Sequence, residues 1–149
     1  MPLTDYFNRF APAIETELQA VLATPTHNPP YYSAMLAHHM GWSAEGQPIP
    51  GAAGKRIRPV LVLLCAAAAG ADWASALPFA AAVELIHNFS LLHDDIQDRS
   101  PTRRGRPTVW IEWGEAHAIN AGDALFAFAF RAVHRASPNL PAEVVLAAH

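Results

Sequence analysis

A chain of 149 residues has the length of one ordinary domain, and 52% apolar against 15% charged residues excludes a disordered or solvating polymer. A formal charge of −3 leaves no electrostatic footprint for nucleic acid. The lone Cys65 excludes a disulfide framework or a cysteine zinc site and suits a reducing, cytoplasmic setting.

Met1 to Tyr6 lacks the basic region followed by an apolar run that marks a secretory signal. Thr4 and Asp5 are caps for a first helix, in which Phe7, Phe10, Ile14, Leu18, Val21 and Leu22 recur at helical spacing. The Pro-rich segment from Thr24 to Pro30 ends it as a loop. A second helix is expected from Tyr31 to Met40, stopped by Gly41, and a loop from Gly46 to Gly54 follows. Pro59 to Val83 is the stretch that suggests a membrane span. Gly70, Asp72 and Pro78 interrupt it, so two buried helices joined by a turn, in a soluble protein with no membrane span, are expected instead.

A long helix is expected from Trp73 to Asp98, with Pro78 near its start. A basic loop from Ser100 to Pro107 follows, then a helix opening near Thr108 and another from Ala116 to His134 with an interruption at Gly122. Pro141 to His149 reads as the start of a further helix capped by Asn139, whose apolar face implies that more protein follows. No strand alternation is visible. The expectation is an all-α fold and one domain, of which residues 1–149 form an N-terminal part.

The chemistry concentrates at His93-Asp94-Asp95-Ile96-Gln97-Asp98. At about 100° per residue, Asp94 and Asp98 share one helix face a turn apart, where they repel each other and oppose the macrodipole. Alone, such a cluster describes a solvated helix end as well as a cation site. Its company favours the second reading. Lys55, Arg56 and Arg58 follow a Gly-rich loop at a helix entry, and Arg103, Arg104 and Arg106 follow the acidic cluster; together they are six of the ten Lys and Arg residues. An acidic cluster that demands a cation, beside two basic ones that demand an anion, describes a site for a diphosphate and its Mg²⁺. His87 lies two turns before Asp94 on the same helical stripe. Phe79, Val83, Leu85, Ile86, Phe89, Leu91 and Leu92 are either ordinary core or the wall of a hydrocarbon pocket.

Four segments carry a family resemblance: Gly54-Lys-Arg-Ile-Arg-Pro59, Glu84-Leu-Ile-His-Asn-Phe-Ser-Leu-Leu-His-Asp-Asp-Ile-Gln-Asp98, Arg103-Arg-Gly-Arg-Pro-Thr108 and Gly114-Glu-Ala-His-Ala-Ile-Asn-Ala-Gly-Asp-Ala-Leu125. In order and spacing, from about Gly51 to Phe130, the chain resembles the trans-isoprenyl diphosphate synthases (polyprenyl synthetases). The resemblance implies the antiparallel helical bundle of isoprenoid synthases, here its first half. It implies a prenyltransferase, working as a homodimer when complete, that joins isopentenyl diphosphate to an allylic prenyl diphosphate. Asp94 and Asp98 would hold Mg²⁺ on the allylic diphosphate, with Asp95 in the same motif and Arg103 assisting. Lys55, Arg58, His87 and Arg104 would hold isopentenyl diphosphate.

In that family, product length is tuned four and five residues before the first aspartate, here Ser90 and Phe89. One aromatic with a small neighbour resembles the geranylgeranyl type more than the farnesyl type, although helical spacing puts Ser90 and not Phe89 on the Asp94 stripe. The family's second aspartate-rich motif has no counterpart before His149. A catalytically inactive fragment or partner subunit that modulates a full-length synthase is therefore the alternative. A head-to-head coupling enzyme of the squalene or phytoene type fits the Lys55 and Arg103 motifs poorly.

Overall fold

The computed structural model describes residues 3–23, 30–136 and 141–147. In chain order the elements are α1 (Leu3–Leu22), α2 (Pro30–Met40), α3 (Ile57–Ala68), a 3₁₀ turn (Trp73–Ala76), α4 (Leu77–Gln97), β1 (Thr102–Arg103), β2 (Arg106–Pro107), α5 (Val109–Trp113), α6 (Glu115–His134) and α7 (Ala142–Ala147). The all-α expectation holds apart from β1 and β2, a hairpin that pairs Thr102 with Pro107 and Arg103 with Arg106. The loop 24–29 and the cap at Asn139 lie outside the described residues.

The residues form two compact units. Among the described residues unit 1 comprises 3–22, 56–85, 127–136 and 141–147, and unit 2 comprises 23, 30–55 and 86–126, so α4 and α6 each contribute to both. In unit 1 the predicted stripe of α1 is the core face: Phe10, Ile14, Leu18, Val21 and Leu22 are buried, with Val60 and Leu63 of α3 and Leu85 of α4. Phe10 packs on Trp73 with ring centroids 4.9 Å apart, and Arg9 covers the same indole. Asp72 caps the 3₁₀ turn by accepting a bond from the Ala74 amide at 3.1 Å. The α-helix proper therefore starts at Leu77, four residues later than the sequence implies.

Unit 2 has its own core of Met35, Leu36, Met40, Trp42, Leu92, Ile96, Val109, Ala118, Ala121 and Leu125. Gly41 ends α2 at φ 76°, as expected, and a Cβ there would stand 2.4 Å from the Ala52 and Ala53 backbone. That close approach folds the 41–54 loop back on itself. The Trp42–Pro48 bridge, the Ile49 amide on the Gly41 carbonyl at 2.8 Å and the Ser43 hydroxyl accepting the Gln47 amide at 3.2 Å complete it. The loop is thereby rigid enough to place Ala52 and Gly54, although it contains neither helix nor extended strand.

Three further sequence expectations are corrected. α3 starts at Ile57, with Pro59 inside its first turn, where a missing amide proton costs nothing. α6 runs unbroken through Gly122, because that position faces the His93 ring, which a Cβ would meet at 2.4 Å. The glycine marks a close approach and not a break. The stretch from Pro59 to Val83 is divided at Gly70 (φ 80°), but its helices are not buried all round: Leu61, Cys65 and Val83 are exposed. The stretch long and apolar enough to cross a bilayer is instead Trp73–Gln97, within which Ala80, Ala81, Leu85, Asn88, Leu92, Asp95 and Ile96 are buried inside the protein. Buried core helices of globular proteins have the same composition.

Candidate diphosphate site

The acidic motif ends α4 within unit 2. The Asp98 amide donates to the Asp94 carbonyl at 2.8 Å, so the helix is intact between them, and both side chains are exposed. Asp95 points the other way. It is 1% exposed and receives a fork from Arg103: Nε at 3.0 and 2.9 Å from its two oxygens, Nη2 at 2.8 Å. A buried carboxylate needs such a partner, and the two-bond geometry fixes the guanidinium plane. Arg103 Nη1 has no partner among the described residues.

Arg103 and Arg104 sit on the β1–β2 hairpin. Arg104 at φ 51° and Gly105 at φ 75° form a two-residue turn with both φ values positive, the pattern that matches strand twist. Arg104 Nη1 donates to the Ala52 carbonyl at 2.9 Å, and its guanidinium lies against Gly54, where a Cβ would stand 2.8 Å from Nη2. Gly54, at φ 77°, thus gives way to Arg104 immediately before Lys55, which is exposed. Unit 2 brings together a carboxylate pair, the Asp95–Arg103 fork, and Arg104 beside the Lys55 segment. His87 is half-buried in the same unit, and its carbonyl accepts the Ser90 hydroxyl at 2.8 Å. Phe89 packs on His93 (4.7 Å) and on Phe126 of α6 (5.2 Å). Arg58 is exposed on α3 and belongs to unit 1.

Two of the six clustered cations have structural roles. Arg56, grouped by sequence with the anion-seeking residues, is 5% exposed in unit 1, at φ 47°. Its Nε donates to Glu15 at 2.6 Å and its Nη1 to Glu84 at 2.9 Å. Burial opposes its charge, yet the two carboxylates outweigh burial and raise its pKa. Arg106 is bound to His38 of α2, through Nη1 to the carbonyl at 3.2 Å and Nη2 to Nδ1 at 2.9 Å.

Sequence reasoning missed the neighbouring histidines because α2 bears no motif. His39 is 8% exposed, lines a crevice with Ala52, Asp95, Arg103, Arg104 and Arg106, and its Nε2 has no partner among the described residues. Burial first, then Arg104 and Arg103, lower its pKa to about 3. Because the folded value lies below the unfolded value of about 6.5, the unfolded chain binds the extra proton. Stability should therefore fall as pH drops from about 6.5 toward 3, by up to about 1.4 kcal/mol per unit from this group. Urea melts at stepped pH should show a shallower slope for His39→Phe than for the natural chain. Equal slopes would remove His39 as the source.

Among the described residues no three His, Cys, Asp or Glu side chains cluster as a self-sufficient metal centre. Mg²⁺ is commonly held by one or two carboxylates with phosphate oxygens and water completing its shell. Asp94 and Asp98 are hard oxygen donors of that kind, exposed a turn apart.

The helical frame of unit 2 sets two exposed carboxylates beside the Asp95–Arg103 fork and lays Arg104 against the Gly54–Lys55 segment. The chain belongs to the polyprenyl synthetase family, whose model matches residues 45–148. It is 54% identical over 101 residues to a (2E,6E)-farnesyl diphosphate synthase of Mycobacterium tuberculosis, covering 67% of this chain and 28% of that enzyme. It is 51% identical over 94 residues to a geranylgeranyl diphosphate synthase of Methanosarcina mazei, covering 63% of this chain and 29% of that one. The chain thus spans under a third of the length of these relatives. Among solved structures, a geranyltransferase from Legionella pneumophila superposes with TM-score 0.82 at 32% identity, covering 96% of this chain and 48% of that one. A polyprenyl synthetase from Streptomyces coelicolor A3(2) gives 0.78 at 40% identity, covering 91% and 40%.

Proposed function

We propose that this chain carries the diphosphate-binding part of a short-chain prenyl diphosphate synthase that joins isopentenyl diphosphate to an allylic diphosphate, with farnesyl diphosphate giving geranylgeranyl diphosphate as the favoured case. The observation that carries the reading is the grouping within unit 2 of exposed Asp94 and Asp98, the Asp95–Arg103 fork and Arg104 laid over Gly54. The family and its farnesyl and geranylgeranyl synthase relatives support it.

Asp94 and Asp98 would hold Mg²⁺, which supplies charge neutralisation of a departing diphosphate. Arg103, locked by buried Asp95, offers its remaining N–H edge to the same leaving group without reorganising as charge develops. Lys55, His87 and Arg104, all of unit 2, bind the diphosphate of isopentenyl diphosphate and hold its alkene for attack on the allylic cation. The apolar residues of α4 exclude water that would otherwise quench that cation. Proton loss, with diphosphate as the nearest base, restores an alkene one isoprene unit longer. A homodimer and a cytoplasmic setting belong to the same proposal, the latter supported by the exposed thiol of Cys65.

Phe89, wedged between His93 and Phe126, is the proposed floor of the hydrocarbon pocket, with Ser90 beside it. In a complete enzyme, Phe89→Ala should lengthen the product by at least one isoprene unit, read by chromatography of extracted prenyl alcohols. An unchanged product spectrum would remove Phe89 from that role. The reaction itself is tested in the complete synthase with farnesyl diphosphate, labelled isopentenyl diphosphate and Mg²⁺. Extractable label that disappears in Asp94→Ala supports the reading, and a folded sample that binds neither diphosphate overturns it.

A further inference from the structure

The hairpin that carries Arg103 and Arg104 cannot support itself. Its strands are two residues each, whereas an isolated hairpin is marginal even at greater length. Its turn also places Arg104, a residue with a Cβ, in the left-handed region, which is unfavourable for an L side chain. Something outside the hairpin must fix it. At its base, the Thr108 hydroxyl donates to the Ser100 carbonyl at 3.0 Å and the Trp110 indole donates to the same carbonyl at 2.9 Å.

Its far strand is fixed by α2. Arg106 Nη1 donates to the His38 carbonyl and Nη2 to His38 Nδ1, while His38 Nε2 donates to the Pro107 carbonyl at 2.8 Å. These bonds define the tautomer, with the ring proton on Nε2 and the lone pair on Nδ1. The ring stands edge-on to Trp113, centroids 5.1 Å apart, which sets its plane. Three hydrogen bonds therefore close a loop between residues 68 and 69 positions apart in sequence.

We infer that His38 and Arg106 are positioning residues, a clamp that holds the hairpin so that Arg103 and Arg104 are each aimed at the diphosphate they bind. The inference rests on the diphosphate reading of the site. Neither clamp residue need touch the ligand: Arg106 has both Nη atoms committed to His38, and His38 has both ring nitrogens committed to protein partners. They act through the geometry of their neighbours. Loss of a bond in such a supporting set typically costs about 10- to 100-fold in the affinity it supports.

The test uses the whole chain and inorganic pyrophosphate with Mg²⁺. His38→Phe keeps the ring against Trp113 but removes both ring bonds, and Arg106→Lys keeps the charge but removes the fork. Each should raise the pyrophosphate Kd about 10- to 100-fold. The double variant should be no worse than the weaker single, because either change opens the same clamp. Amide exchange should quicken at Arg106 and Thr108 in both variants while the amides of α1 stay protected, a pattern that general destabilisation does not produce. Unchanged affinity in both variants, or additive losses in the double, overturns the clamp. Arg103→Ala is the control for the underlying reading. If it leaves the Kd unchanged, the diphosphate assignment fails; if it weakens binding while the clamp variants do not, only the clamp fails.

Discussion

Arg56→Ala should destabilise the chain by about 3–5 kcal/mol, a large share of what a domain of this size has to lose. The guanidinium side chain is 3% exposed, and its partners Glu15 and Glu84 are 12% and 4% exposed. Truncation removes the cation that bonds both carboxylates in a poorly hydrated place, and taking one partner out of a buried ion pair is strongly destabilising. The cost comes chiefly from breaking that arrangement and much less from the net worth of the bridges. Replacing all three together by apolar residues, as in Glu15→Leu, Arg56→Met, Glu84→Leu, should therefore recover most of the loss. Urea melts of the two variants check this. A single variant within about 1 kcal/mol of the natural chain would mean that water reaches the triad and that the burial described is wrong.

The second large effect is chemical. In a complete synthase of this kind, Asp94→Ala should lower prenyl transfer by about 10²–10³-fold, the range for removing one preorganised electrostatic contact from a transition state. Stability should hardly change, because both side chains are exposed at a helix C-terminus where negative charge is unfavourable anyway. Asp95→Ala should differ in kind: it strands Arg103, so stability and turnover fall together. Thermal melts beside initial rates separate the two patterns. If Asp94→Ala melts earlier while turnover is kept, Asp94 is a structural residue.

Much of this was legible in the chain itself, for reasons that can be assigned. The 3.6-residue recurrence in α1 marks its buried face because one stripe meets one core, and Gly41 and Gly70 mark breaks because only a residue without Cβ rests comfortably at positive φ. The spacing of Asp94 and Asp98 puts them on a shared face by helix geometry alone. What depended on distant partners was not legible. Arg56 finds Glu15 and Glu84 at 41 and 28 residues' separation, and no local pattern distinguishes it from Lys55 or Arg58. Arg106 looks like a third ligand-seeking arginine until His38 is seen beside it. The hairpin is too short to show alternation, and Gly122 resembles a helix break when its role is to admit the His93 ring.

The most direct measurement is a calorimetric titration of farnesyl diphosphate into the chain, with Mg²⁺ and then with excess chelator, repeated on the Asp94→Ala, Asp98→Ala double variant. The account predicts saturable binding that requires Mg²⁺ and is weakened at least tenfold in the double variant. Binding that is indifferent both to chelation and to the loss of the two carboxylates, or no binding to the folded natural chain, would contradict it.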